Sequence, residues 1–175
     1  MTVSARIFVN EGTFGILDAG EVPIETADWS QSLLVPMAQG AIVLTGINTG
    51  HVTVQVDAIP QQGDVDNGGW EENARARLWA PTGGLRVESL VHGAHESLSL
   101  LSEAGPGWYE VEIKARGRHF EPDGTNLESA EAYLISAWPS SDTLPPSNTA
   151  SPSLQADDTE ADDQQQRLLR GGAAM

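Results

Sequence analysis

Apolar and polar positions alternate with a period of two along most of the first 139 residues, and turn-forming Gly, Pro and Asn interrupt them at short intervals. That rhythm predicts an all-β fold, an antiparallel β-sandwich of jelly-roll-like type, and argues against a helical bundle. Val3 to Asn10 opens with Val3, Ala5, Ile7 and Val9 on one face, and Thr13 to Asp18 follows as a hairpin partner through Glu11-Gly12. Ala41 to Ile47 is almost continuously aliphatic, and His51 to Ile59 answers it across Asn48-Thr49-Gly50, the strongest hairpin signal in the chain. Within that second strand Val52, Val54 and Val56 face the core, while Thr53, Gln55 and Asp57 face out.

Pro60 to Asn73 reads as a polar, Gly-rich loop. Ala74 to Ala80 and Leu85 to Val91 read as strands joined by Pro81-Thr82-Gly83-Gly84, and Glu96 to Leu101 as a short strand. Trp108 to Arg116 alternates cleanly, with Tyr109, Val111, Ile113 and Ala115 inward and Glu110, Glu112, Lys114 and Arg116 outward. Ala132 to Trp138 is the last strand, stopped by Pro139. Only Asp28 to Met37 is open to a helix, with Asp28 as N-cap and Pro36 keeping it short. Residues 1–139 therefore form the sandwich domain. Residues 140–175, rich in Pro, Ser, Asp and Gln, lack the apolar surface to offset ordering entropy and are expected to be a disordered tail.

Charge changes this picture most. The chain has 25 acidic and 9 basic residues and a net charge of −16; residues 1–139 contribute 19 acidic and 7 basic side chains, hence −12. A body this negative repels nucleic acid and membrane headgroups, so the expected electrostatic partner is a basic protein or a cation. With no Cys, disulfides, thiolate metal sites and a Cys nucleophile are excluded. The first residues show neither a signal peptide nor a spanning segment, which makes a cytoplasmic location the default expectation.

Several constellations bear on chemistry. His92-Gly93-Ala94-His95-Glu96 holds two imidazoles and a carboxylate, but the i+3 spacing in a Gly-containing turn differs from the i, i+4 helical pair of zinc proteases. Asp64-Val65-Asp66-Asn67-Gly68-Gly69 resembles the front of a calcium loop, yet Arg75 stands where a bidentate Glu belongs. No nucleophile elbow or phosphate-binding glycine fingerprint occurs, so no catalytic residue, cofactor or metal is assigned and the chain reads as a non-enzyme. Trp108 and Trp138 adjoin strand patterns and are expected in the core or its rim. Trp70 lies in the acidic loop, where it either anchors a partner or folds back under the loop.

Taken in order, Asp28-Trp29, Gln39 to Leu44, Gly84 to Leu90, Gly107 to Val111 and Ala132 to Ile135 resemble the competence protein J family over about Ala5 to Trp138. The chain departs from it in a longer loop at Pro60 to Asn73, an insertion near Gly117 to Ser129 and the acidic tail. The best-known member inhibits a DNA-entry nuclease, so the resemblance implies an inhibitor or immunity-type partner of a basic nuclease; it carries over no inhibitory motif residue. Carboxylates on a rigid sheet can occupy a cleft built for phosphates, which nominates Asp64, Asp66, Trp70, Glu71, Glu72, Glu110 and Glu112 as partner-binding residues. The alternatives are a small-molecule, sugar or calcium-binding sandwich built on the same loop, and an accessory protein with no ligand.

Overall fold

The computed structural model describes residues 2–58 and 69–141, which belong to one compact unit. Eleven strands are present among them: β1 (Val3–Val9), β2 (Thr13–Asp18), β3 (Leu34–Pro36), β4 (Ala41–Leu44), β5 (Thr49–Ala58), β6 (Glu72–Ala80), β7 (Leu85–Ser89), β8 (Gly93–Ala94), β9 (Gly107–Arg116), β10 (Thr125–Asn126) and β11 (Ala132–Pro139). They form two sheets, one in the order β1-β5-β11-β9-β6 with β10 beside β5, the other in the order β3-β4-β2-β7-β8. All pairings are antiparallel except those of β10 and β11 with β5. No helix among the described residues is long and apolar enough to cross a membrane.

Between the sheets lies one apolar core built from the inward positions of both, including Ile7, Phe14, Val54, Leu78, Ile113 and Tyr133. The facing expected on β5 holds: Val52, Val54 and Val56 are buried and the residues between them are not. Tyr109, Val111, Ile113 and Ala115 on β9 are likewise buried as expected. Lys114 differs from expectation, because it faces away from the core yet is only 5% exposed. Its ammonium lies 3.8 Å from Glu112, and Leu134 stands beside it on β11. Trp138, also expected in the core or at its rim, lies on that outer face with the Arg75 guanidinium stacked 4.7 Å from its ring centre.

The pairings overturn two sequence readings. β1 and β2 share only the bridge Asn10–Thr13 before parting into different sheets. β4 and β5, the strongest hairpin signal, likewise lie in opposite sheets, as do β6 and β7. A period of two fixes which face of a strand is buried and says nothing about its neighbour, so a short Gly- or Asn-containing link serves a hairpin and a crossing between sheets equally. Buried carboxylates hold two of these crossings. Glu131 accepts the backbone N–H groups of Gly46 (3.1 Å) and Ile47 (2.6 Å) and the Tyr133 hydroxyl (2.7 Å). Asp18 accepts the Thr82 N–H (2.9 Å), the Thr82 hydroxyl (2.9 Å) and the Gly84 N–H (2.7 Å).

Two further expectations fail. Asp28 to Met37 is not a helix: its apolar residues run consecutively, so that Leu33 and Leu34 enter the main core while Val35 and Met37 join a second cluster with Leu17 and Ile42. Burial on both faces suits a strand, and β3 ends at Pro36 on a sheet edge, where a missing N–H is tolerated. Glu96 to Leu101 forms turns, with Leu98 and Leu101 inserted in the core and their N–H groups bonded to the carbonyls of His95 and Leu85. The proposed tail, from residue 142 on, lies outside the described residues.

Candidate partner-binding surface

Between β2 and β3 the chain leaves the second sheet and returns as a strap, residues 19–32. Ala19 and Gly20 both take positive φ (52° and 73°), which turns the chain sharply at the end of β2. Pro23 then precedes a single 3₁₀ turn, Ile24–Thr26, closed by the bonds Thr26 N–H to Pro23 O and Ala27 N–H to Ile24 O. The Thr26 side chain fastens this turn, donating to Pro23 O (2.7 Å) and accepting the Ala38 N–H (2.7 Å), while the Asp28 N–H donates to Pro36 O (2.9 Å). Ala27 packs on the second apolar cluster, so the strap is seated on the sheet face that points away from the main core.

Seating Ala27 sends its neighbours outward. Trp29, Ile24 and Val22 are 57%, 46% and 39% exposed, and Glu21, Glu25 and Asp28 alternate with them. Asp28 closes a small turn by accepting the Ser30 N–H (3.1 Å) and hydroxyl (2.6 Å), which presents the indole of Trp29 at its tip. The Ser30 hydroxyl, then its N–H, holds the Asp28 carboxyl below the usual carboxylate range, so this charge persists in mild acid. No Lys or Arg occurs anywhere from residue 7 to residue 74.

Most cations lie elsewhere, although Arg118 donates to the Ser32 carbonyl (2.9 Å) at the end of the strap and Arg86 on β7 pairs with Leu17 of the cluster beneath it. Arg75, Arg77, Lys114, Arg116 and Arg118, five of the seven Lys and Arg before residue 140, occupy β6, β9 and the residues just after β9. They meet the acidic set nominated from the sequence. Glu110 lies 3.6 Å from Arg75 and Glu112 3.8 Å from Lys114 on the outer face of the first sheet. Glu72, opposite inward Ala115 in the register, turns to the other face and bonds Arg118 at 2.8 Å, with His119 at 3.9 Å. Glu71 accepts the Gly117 N–H at 3.1 Å, and half-buried Trp70 carries the Arg116 guanidinium 4.9 Å from its ring centre. Asp64 and Asp66 lie outside the described residues. The structure thus gathers Glu110 and Glu112 on one face, separates Glu72 from them, and gives each an internal counter-charge. Trp79 and Trp108 meet there too, their ring centres 5.2 Å apart and their planes tilted by 54°.

Sequence reasoning missed Val22, Ile24 and Trp29. The available signal was an aromatic residue midway between Pro23 and Pro36 inside a long acidic stretch without a cation, and the helical reading of Asp28 to Met37 concealed it. Among the described residues no group of three or more His, Asp or Glu is placed to hold a metal ion.

The fold and this surface define a two-sheet β-sandwich bearing an acidic, apolar-tipped strap. No family model matches the chain, and no curated protein matches it significantly. Among solved structures it is similar to ComJ from Bacillus subtilis, the inhibitor of the DNA-degrading activity of NucA, with a TM-score of 0.46 and 13% identity over 78% of this chain and 95% of that one. It is also similar to the crocagin biosynthetic gene J product, with a TM-score of 0.43 and 13% identity over 79% of this chain and 97% of that one. Both likenesses concern the fold.

Proposed function

We propose that the chain is a non-catalytic binding protein that docks a basic protein partner, in the manner of an inhibitor or immunity partner of a nuclease. The observation that carries this reading is the strap: three exposed apolar side chains interleaved with three carboxylates, fastened to the sheet and lying in a 68-residue stretch free of Lys and Arg (residues 7–74). Exposed apolar residues grouped on a monomer surface mark contact sites, and a central Trp is the commonest kind of binding anchor. Carboxylates around such an anchor steer a cationic surface toward it and disfavour acidic competitors. Glu71, Glu72, Glu110 and Glu112, already engaged within the body, act in this reading through the overall field, while Trp70, covered by Arg116, is not the anchor.

The experiment is capture from extracts of the source cells at low salt, identification of the bound protein, and titration of its nuclease activity with the purified chain. A basic nuclease whose activity falls in step with complex formation supports the reading. Capture of proteins without a basic surface, or of a nuclease whose activity is untouched, overturns it.

A further inference from the structure

On another side of the sandwich, β1 and β5 face the turn that follows β7 across a cleft of about 470 Å³ lined by Arg6, Phe8, His51, Ser89, His92 and His95. Three of the four histidines of the chain converge there with Arg6, the one Lys or Arg in the first 74 residues, and Glu96 is the one carboxylate in the lining. In a body of charge −12 this is a local concentration of groups able to bind an anion. Phe8, paired with His51 in the register, meets the His51 ring edge-on at 5.4 Å and the His92 ring at 5.0 Å.

Hydrogen bonds fix what these side chains present. The Nδ1 of His51 lies 3.1 Å from the Leu127 carbonyl, which only accepts, so that nitrogen carries the proton. The Nδ1 of His95 accepts the Ser97 N–H at 3.2 Å, which puts the proton of the neutral ring on Nε2 as a donor. Ser89, buried at the cleft wall, accepts the N–H groups of Val91 (3.3 Å) and His92 (3.2 Å) and keeps its hydroxyl proton to donate. A guanidinium, an imidazole N–H and a hydroxyl beside a phenyl ring suit an oxyanion attached to a flat ring.

We propose that this cleft binds a small phosphate monoester carried on a planar ring, with Arg6, Ser89 and His95 holding the phosphate and Phe8 with its flanking imidazoles supporting the ring. The site stands independently of the strap and its partner. The test is calorimetric and NMR titration of the full chain at low ionic strength with inorganic phosphate, adenosine 5′-monophosphate and adenosine. The monophosphate is expected to bind saturably and more tightly than either of the others. Arg6→Gln, at an exposed position, should weaken phosphate and monophosphate alike by roughly tenfold or more. Phe8→Leu should weaken the monophosphate and spare inorganic phosphate. Absence of saturable binding at millimolar monophosphate, equal binding of adenosine and its monophosphate, or indifference to Arg6→Gln would each overturn the assignment.

Discussion

Val54 and Gln55 are neighbours on β5 with opposite surroundings, one fully enclosed between the sheets and the other on the outer face. Val54→Asp should therefore cost several kcal/mol, because an isolated carboxylate would be taken out of water, whereas Gln55→Asp should stay within about 0.5 kcal/mol. Equal urea midpoints for the two variants would contradict this assignment of faces. Tyr133 supplies a second test at this scale. Burial, then the hydrogen bond and charge of Glu131, push its phenol well above the ordinary tyrosine range. The folded state thus keeps a proton that the unfolded chain releases near pH 10, so stability is fully present below that pH and is lost as pH rises beyond it. Burial raises Tyr109 in the same direction. Unfolding free energy should fall above about pH 10 by up to ~1.4 kcal/mol per pH unit for each such group, and Tyr133→Phe should have the shallower alkaline slope.

At the scale of elements, the two buried carboxylates explain how short links carry the chain from sheet to sheet. Glu131→Ala would leave the N–H groups of Gly46 and Ile47 and the Tyr133 hydroxyl without their acceptor, at a cost of about 3 kcal/mol or more in chemical denaturation. A loss below about 1 kcal/mol would show that water replaces the carboxylate without penalty. Gly50, the second residue of β5 at φ 145°, has the Asn126 carbonyl where a Cβ would stand; Gly50→Ala should therefore dislodge β10 and lower the urea midpoint. Strand positions on β1, β5, β9 and β11 were legible from the sequence, and so were the core faces of β1, β5 and β9 from alternation; β11, buried at seven consecutive positions, shows none. Pairing was not, because Ala41 to Leu44 presents an apolar residue at every position and so matches either sheet. The strap was hidden for a related reason: Leu33, Leu34 and Val35 belong to two different apolar clusters, and a linear pattern does not reveal that a second one exists.

For the whole molecule, charge is unevenly placed: most cations collect on and just after β6 and β9, and the strap itself carries none, its nearest being Arg118 at the Ser32 carbonyl. Trp29→Ala should leave stability within about 0.5 kcal/mol, since the indole is largely exposed, yet cost at least about 2 kcal/mol in partner affinity, mainly through faster dissociation. Reversing Glu21, Glu25 and Asp28 to Lys should mainly slow association, and wild-type association should weaken as salt shortens the screening length from about 10 Å at 0.1 M. Surface-binding kinetics across a salt series separate the two effects. Association that ignores both salt and charge reversal would remove the electrostatic role of the strap.

The sequence by itself determined the β class, the buried faces of the long strands, the net negative charge and the absence of thiol chemistry, because each follows from local periodicity or from composition. Only the tertiary structure decided which strands pair, that Glu110, Glu112 and Glu72 meet cations while Glu21, Glu25 and Asp28 surround exposed Val22, Ile24 and Trp29, and that Arg6 joins three histidines in one cleft. The strand pairs, the Arg75–Glu110 and Arg118–Glu72 contacts and the Arg6 cleft join residues tens of positions apart through the packing of two sheets, and the exposure of the strap depends on which of its residues that packing seats.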